Sequence, residues 1–206
     1  MHAMPVSFEV LNRQHPERQS LERFIAQVFL KTYGATVSHF AHTLLGWKNK
    51  AGQWVAALGY TPAERSPLFV ESYGKRPIET QISERLGSDV NRQTLVEVGN
   101  LAASSAGAAR LLIANAIIHL HRSGFSWVVF TATRALLNSF DRLEVKAFEL
   151  GAADPARLPD RGQSWGTYYN TRPSIMSGSI TLAYLSLMAK QAVPASSMQG
   201  LNSVCC

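Results

Sequence analysis

The stretch Leu95 to Leu112 carries the most chemical information in the chain. A strand-like run, Leu95 to Ala102 (LVEVGNLA), passes into Ala103, Ser104, Ser105, Ala106, Gly107, Ala108 and Ala109, and then into an apolar helix. Side chains this small let the backbone N–H groups of Ser105 to Ala109 approach a ligand closely, and the amino end of a helix adds a positive dipole. The combination suits an anion, best a pyrophosphate, although an ordinary helix start uses the same residues. It is not a Walker loop, because no Gly-Lys-Ser/Thr follows, and with Gly107 alone it is not a dinucleotide fingerprint. No Gly-x-Ser-x-Gly elbow is present, which disfavours a serine hydrolase.

Other residue types could read a ligand. Arg134 follows an apolar run, and Arg172 lies in Tyr168-Tyr169-Asn170-Thr171-Arg172-Pro173. A guanidinium at either place can clamp a carboxylate or phosphate bidentately. Glu71 and Tyr73, in LFVESY (Leu68 to Tyr73), either face a ligand or pair within a sheet. His39 and His42 are three apart; His119 and His121 are two apart on a predicted helix and point in different directions. No third ligand accompanies either pair, so no metal site is expected.

Positioning these residues requires a sheet. Val6 to Leu11 alternates like a strand, and His15-Pro16 opens a helix with an apolar stripe (Leu21, Phe24, Ile25, Val28, Phe29) stopped by Gly34. Leu44 to Lys48 and Trp54 to Tyr60 flank the turn residues Asn49 to Gly52, which predicts a hairpin. LFVESY reads as a strand, and Pro77 to Leu86 as a helix closed by Gly87. After Leu95 to Ala102 comes a helix from about Ala108 to Arg122, ended by Gly124. Trp127 to Ala132 (WVVFTA) is apolar throughout, as a buried central strand should be. A helix capped near Thr133 runs through Arg142, followed by strands Val145 to Leu150 and Trp165 to Tyr169. The fold class is therefore α/β, or α+β, with one mixed central sheet flanked by helices. Residues 1–180 are read as one domain, and 181–206 as a helix (Thr181 to Gln191) and a polar, disordered tail.

Composition narrows the classes. With 46% apolar and 17% charged residues, the 206-residue chain can build a sizeable core. Lys plus Arg is 20 against 14 for Asp plus Glu, a net +6 that suits an acidic or phosphorylated partner. There is no basic run, so no nucleic-acid arm is expected. Cys205 and Cys206 build neither a disulfide framework nor a metal site; they read as two thiols on a frayed tail, or as a lipid-attachment signal. Without a signal peptide or a span of roughly 18 apolar residues, the expectation is a cytoplasmic protein.

The order strand, small-residue turn, helix, apolar strand and short helix resembles the GNAT acyltransferase superfamily. There the turn carries Arg/Gln-x-x-Gly-x-Gly/Ala and holds the pyrophosphate of coenzyme A; the matching positions here are Ser104, Gly107 and Ala109, so the spacing holds while the first residue is Ser. A fuller resemblance covers roughly residues 20–180. YGATVSHF, LFVESY, VEVGNLAASSAGAARLL, GFSWVVFTATRALLNSF and WGTYYNTRPSIMSG are similar to the bacterial thermostable hemolysin family. That family is GNAT-like and nearest to the acyl-homoserine-lactone synthases. Those synthases carry Glu-x-x-Arg on the strand before the turn; here the run is Glu97-Val98-Gly99-Asn100.

The resemblance implies an N-acyltransferase. It would move a fatty acyl group from acyl-acyl-carrier-protein or acyl-CoA to a small amine or amino acid, with no tightly bound cofactor. Glu97 then takes the amine's proton, with Asn100 beside it, unless Glu97 is a sheet carboxylate paired with an arginine. Backbone N–H groups at Leu101, Ala102 and Ala103 face the developing oxyanion. Ser104 to Arg110, with Asn138, would hold the donor's phosphorylated arm. Phe140 and Thr133 stand where the superfamily has a tyrosine acid and an asparagine, so the thiolate would leave unprotonated, or Tyr168 or Tyr169 would protonate it. Glu71, Tyr73, Phe130, Thr131, Thr133, Arg134, Trp165, Tyr169 and Arg172 complete the substrate pocket. Two rivals stand beside this reading. One is a membrane-active lysin using Ile180 to Met188 in peripheral contact with lipid; the other is a thioester-binding relative without catalysis.

Overall fold

Short alternating segments build the amino-terminal half of the sheet. The computed structural model describes residues 7–74 and 76–192. Strands Ser7–Leu11 (β1), Thr43–Lys48 (β2) and Trp54–Pro62 (β3) form an antiparallel meander. Asn49 builds the expected hairpin turn: its Oδ1 accepts the N–H groups of Ala51 at 2.9 Å and Gln53 at 3.0 Å, and Gly52 takes φ 73°. Val6, expected to open β1, lies outside the described residues, as do the tail Pro194 to Cys206 and its cysteine pair.

The helices fall where periodicity and stop residues place them. Arg18–Tyr33 (α1) ends at Gly34 and Ile78–Leu86 (α2) at Gly87, both left-handed, at φ 67° and 68°. Strand Leu95–Ala103 (β4) leads through Ser105 into Ala106–Arg122 (α3), then Trp127–Ala132 (β5) and Arg134–Leu143 (α4). Phe148–Ala152 (β6), Ser174–Ser179 (β7) and Ile180–Ala192 (α5) follow. The α3 start is two residues earlier than expected because the Ser105 hydroxyl caps it, accepting the Ala108 N–H at 3.2 Å.

Three expected strands differ. LFVESY is a 3-10 turn, Phe69–Tyr73, not a strand. Its N–H groups go to carboxylates instead of to a neighbouring strand: Glu71 accepts Leu68 at 2.8 Å, and Glu97 accepts Phe69 at 2.6 Å and Val70 at 3.0 Å. The aromatic stretch near Trp165 forms two more 3-10 turns, Gln163–Trp165 and Tyr168–Thr171, because left-handed Gly166 lies where a Cβ would strike the Tyr33 carbonyl. The last strands are instead β6, three residues later than expected, and β7, whose Ser-Gly-Ser content hides it. Ser177 is fully buried there, its hydroxyl donating to the Val128 carbonyl at 2.9 Å.

The seven strands form one mixed sheet in the order β1-β2-β3-β4-β5-β7-β6, with β4 and β5 the parallel pair. Helix α1 lays Leu21, Ile25 and Phe29 on Leu44, Ala57 and Ala102 of one face. Helix α3 lays Leu112, Ala116 and Leu120 on Leu45, Leu58 and Val96 of the other, where Ile180 of α5 joins them. Each such buried Leu or Ile contributes roughly 1.5–3 kcal/mol.

One irregularity positions the site. β4 and β5 pair only from Leu95↔Trp127 to Val98↔Phe130, although β4 runs on to Ala103 and β5 to Ala132. At the same level the β3–β4 register shifts between Ala57 and Gly59, and Asn100 takes φ 51°. An extra residue on one strand bends it and raises its twist. β4 follows β3 here and parts from β5.

Candidate active site

The parted strands open into a cavity of about 910 Å³ that reaches both faces of the sheet. On the α1 face its walls include Phe29, Tyr33, Phe69, Tyr73, Trp165 and Tyr168; on the α3 face they include Ile113, Ala116, Ile117, Leu120 and Phe140, with Ala183 of α5. Glu97, Val98, Phe130 and Thr131 line the passage between the two. A polar, aromatic chamber is thus joined through the sheet to a largely apolar one.

Among the described residues, Glu97 is the only carboxylate on the walls. It shares a sheet face with Leu95, the face on which the Phe69–Tyr73 turn sits. Its two oxygens accept the Phe69 and Val70 N–H groups and retain lone pairs for a further donor. Burial of the carboxyl pushes its pKa up to about 7, against the pull of the two amides, with Glu71 adding a smaller upward push. A group poised there is divided between its acid and base forms near neutrality, so it can take up and release a proton.

A pinned segment, 38–42, closes the chamber beside Glu97. Asn100 Oδ1 accepts the Ala41 N–H at 2.9 Å, and its Nδ2 donates to the His39 carbonyl at 3.3 Å. Buried Arg18 donates to the carbonyls of Ala41 at 2.7 Å, His42 at 3.0 Å and Leu11 at 3.3 Å. The His42 N–H reaches Thr61 Oγ1 at 3.1 Å. Burial, helped by the charges of Arg65, Arg13 and Arg18, lowers the His42 pKa and keeps the ring neutral. Asn100 therefore acts on the site through backbone.

The aromatic wall is held by edge-on contacts. The Tyr168 ring meets Tyr33 and Tyr169, each at 5.2 Å and 87°. Burial raises the Tyr168 pKa, so its O–H stays protonated and can only donate to a developing anion. Tyr73 and Tyr169 share a 2.5 Å hydroxyl contact, and burial raises both.

The structure sorts the sequence candidates. Glu97, Asn100, Leu101, Ala103, Ser105, Ala106 and Ala109 lie on the cavity wall, as do Tyr73, Phe130, Thr131, Thr133, Trp165 and Tyr168. Ala102 turns into the core under α1. Ser104, Gly107, Ala108 and Arg110 surround the α3 start without lining the cavity. Arg134, Asn138 and Arg172 are exposed and off the wall, and Tyr169 reaches it through Tyr73. Glu71 faces away: it binds Arg92 at 2.7 Å and accepts the Leu68 and Ile78 N–H groups, so it holds the turn together. Sequence reasoning missed Arg13, Arg65 and the α3 and α5 walls, and gave His39 and His42 no role; all line the cavity. Among the described residues, no group of three or more His, Cys, Asp or Glu could hold a metal.

This architecture, a mixed sheet split beside a small-residue helix start, is the GNAT-like acyltransferase fold. The chain belongs to the thermostable hemolysin family, whose model matches residues 11–184. Among solved structures it is similar to the acyl-homoserine-lactone synthase LasI, at 11% identity over 91% of this chain and 96% of that one, with a TM-score of 0.60. It is also similar to FeeM, an N-acyl amino acid synthase from uncultured soil microbes, at 14% identity over 92% and 98%, with a TM-score of 0.59. BjaI, a CoA-dependent acyl-homoserine-lactone synthase solved with SAM and isopentyl-CoA, matches at 14% over 91% and 90%, with a TM-score of 0.57. At such identities the likeness is one of fold. No curated relative matches the chain. No described helix is long and apolar enough to cross a membrane.

Proposed function

We propose that the protein is an N-acyltransferase that moves a fatty acyl group from an acyl thioester, on acyl carrier protein or coenzyme A, to a small amine. The observation that carries this reading is the cavity joining an apolar chamber to a polar one at Glu97. The acyl chain lies among Ile113, Ile117 and Leu120, and the thioester carbonyl sits where β4 and β5 part. The Ala106 and Gly107 N–H groups that open α3 face the donor's phosphates.

The amine arrives as an ammonium. Glu97 takes one proton, the nitrogen lone pair attacks the thioester carbon, and the C–S bond breaks as the tetrahedral intermediate collapses. N–H groups at Leu101 to Ala103 stabilise the oxyanion. The sulfur leaves with the electron pair as a thiolate that the Tyr168 O–H stabilises by donating a hydrogen bond, while the nitrogen's second proton passes to solvent.

The test offers purified protein a panel of acyl thioesters with an amine pool and reads amide product by mass spectrometry. Product that depends on Glu97 supports the reading. No product with any donor, or undiminished product from Glu97→Gln, removes it. A membrane-active reading is favoured by one observation, the exposed Leu182 and Leu185 on α5. Leakage of liposomes by wild-type protein that Leu182→Gln/Leu185→Gln abolishes would support it.

A further inference from the structure

The turn that roofs Glu97 is clamped from outside the cavity. Its amides at Phe69 and Val70 donate to the Glu97 carboxylate at 2.6 Å and 3.0 Å. Glu71, within the same turn, uses both of its oxygens on backbone: Oε1 accepts the Ile78 N–H at 3.1 Å and Oε2 the Leu68 N–H at 2.8 Å. One carboxylate thus ties the chain just before the turn to the start of α2 beyond it. Arg92 lies in the 3-10 turn Arg92–Thr94, which leads directly into β4. It grips the same two oxygens, Nη1 to Oε1 at 2.7 Å and Nη2 to Oε2 at 3.0 Å. A guanidinium and a carboxylate paired in parallel fix each other's plane as well as their distance.

Arg92 has no donor to spare. Its Nε donates to the Ala63 carbonyl at 2.9 Å, Nη1 also to Glu79 Oε2 at 2.6 Å, and Nη2 also to the Ser66 carbonyl at 3.5 Å. These bonds engage all the N–H groups of a guanidinium. They join the end of β3, the turn, α2 and the root of β4. β4 therefore holds the turn twice, directly through Glu97 and from its root through Arg92.

Among the described residues, the titratable groups on the chamber wall with Glu97 are Tyr33 of α1, Tyr73 of the turn, Tyr168, His39, His42, Arg13 and Arg65. The charge that bears on its proton affinity is instead that of Glu71, behind the turn. Against the upward push of burial, the Arg92 bond and the Leu68 and Ile78 amides hold the Glu71 carboxyl below its usual range.

We infer that Arg92 is a positioning residue for the reaction: by fixing Glu71 it holds the Phe69–Tyr73 turn in the arrangement that keeps two amides on Glu97. The inference deepens the acyl-transfer reading, in which Glu97 is the base. Loss of Arg92 has two consequences of the same sign. The amides favour the ionised carboxylate, so a turn that drifts away raises the proton affinity of Glu97. A Glu71 stripped of its guanidinium presents an uncompensated negative charge, which raises it further.

Arg92→Gln tests it. In wild type the acid limb of kcat/KM should have its midpoint at about 7. In the variant that midpoint should move up by roughly one pH unit, which lowers kcat/KM at neutral pH about fivefold. Infrared titration reads the same midpoint without turnover, from the protonated-carboxyl band that Glu97→Gln removes. Glu79→Gln takes from Arg92 its other carboxylate but leaves Glu71 paired, and should leave the midpoint in place. Arg92→Lys, a point charge without the planar fork, should give a smaller shift of the same sign. A folded Arg92→Gln with the wild-type midpoint would overturn the inference. So would an equal shift in Glu79→Gln, which marks general loosening. If Arg92→Gln does not melt cooperatively, Arg92→Lys stands in for it on the same terms. An infrared shift in Arg92→Gln, with no amide product from wild type and any donor, would instead overturn the acyl-transfer reading and leave the positioning of Glu97 standing.

Discussion

The Val70 N–H donates to Glu97 Oε1 at 3.0 Å, and this bond ties the base to the turn that roofs it. With the Phe69 bond it fixes the carboxylate's orientation while burial raises its proton affinity. Position and basicity come from one packing arrangement.

The rate should follow the ionisation of Glu97. With its pKa raised to about 7, kcat/KM is expected to rise with pH up to that value and level off above it. Glu97→Gln should lose this limb and roughly 10²–10⁴-fold in kcat. The sign for stability is opposite. A carboxyl whose pKa is higher folded than unfolded is fully tolerated below about 4.5, and weakens the fold as pH rises to about 7. Urea midpoints of wild type should therefore fall relative to Glu97→Gln across that window.

The pinned 38–42 segment should report on Arg18 and Asn100. Arg18→Ala leaves three carbonyls without their donor and should cost about 2–4 kcal/mol in urea unfolding. At Asn100, with φ 51°, Ala should be worse than Gly by about 1 kcal/mol, because only Gly adopts that backbone freely. Both variants lose the Ala41 bond, so the difference isolates the backbone.

Gly107 separates donor binding from folding. A Cβ there would meet only the Ser105 hydroxyl at 3.8 Å, and the residue is not left-handed. Gly107→Ala should leave the melting temperature unchanged or slightly raised, yet raise the donor KM several-fold if the phosphates approach the α3 start.

The apolar chamber should set chain length. Ile117→Ala enlarges it and should shift the preferred acyl chain longer; Ala183→Phe fills it and should shift the preference shorter. Competition among thioesters, read by mass spectrometry, gives the order directly.

Much of this was legible because local signals agree with the fold. Gly34 and Gly87 stop helices, Asn49 makes the hairpin turn, and WVVFTA can only be central. Glu97 was legible through the resemblance of Glu97-Val98-Gly99-Asn100 to the synthases' Glu-x-x-Arg run. LFVESY misleads because the alternation that predicts a strand is met by carboxylates from Glu71 and Glu97, which no local pattern announces. β7 was hidden because its burial between β5 and β6, not its propensity, makes it a strand. Arg13, His42 and Arg65 were invisible as a group because only the meander's register brings them together.

The most direct measurement is a crystal structure with a non-cleavable 2-oxoalkyl thioether analogue of the donor, whose ketone stands in for the thioester carbonyl. The account predicts its carbonyl between β4 and β5 just beyond Val98 and Phe130, its chain among Ile113, Ile117 and Leu120, and its phosphates at Ala106 and Gly107. An analogue bound elsewhere, with those two strands closed on each other beyond Phe130, would contradict it.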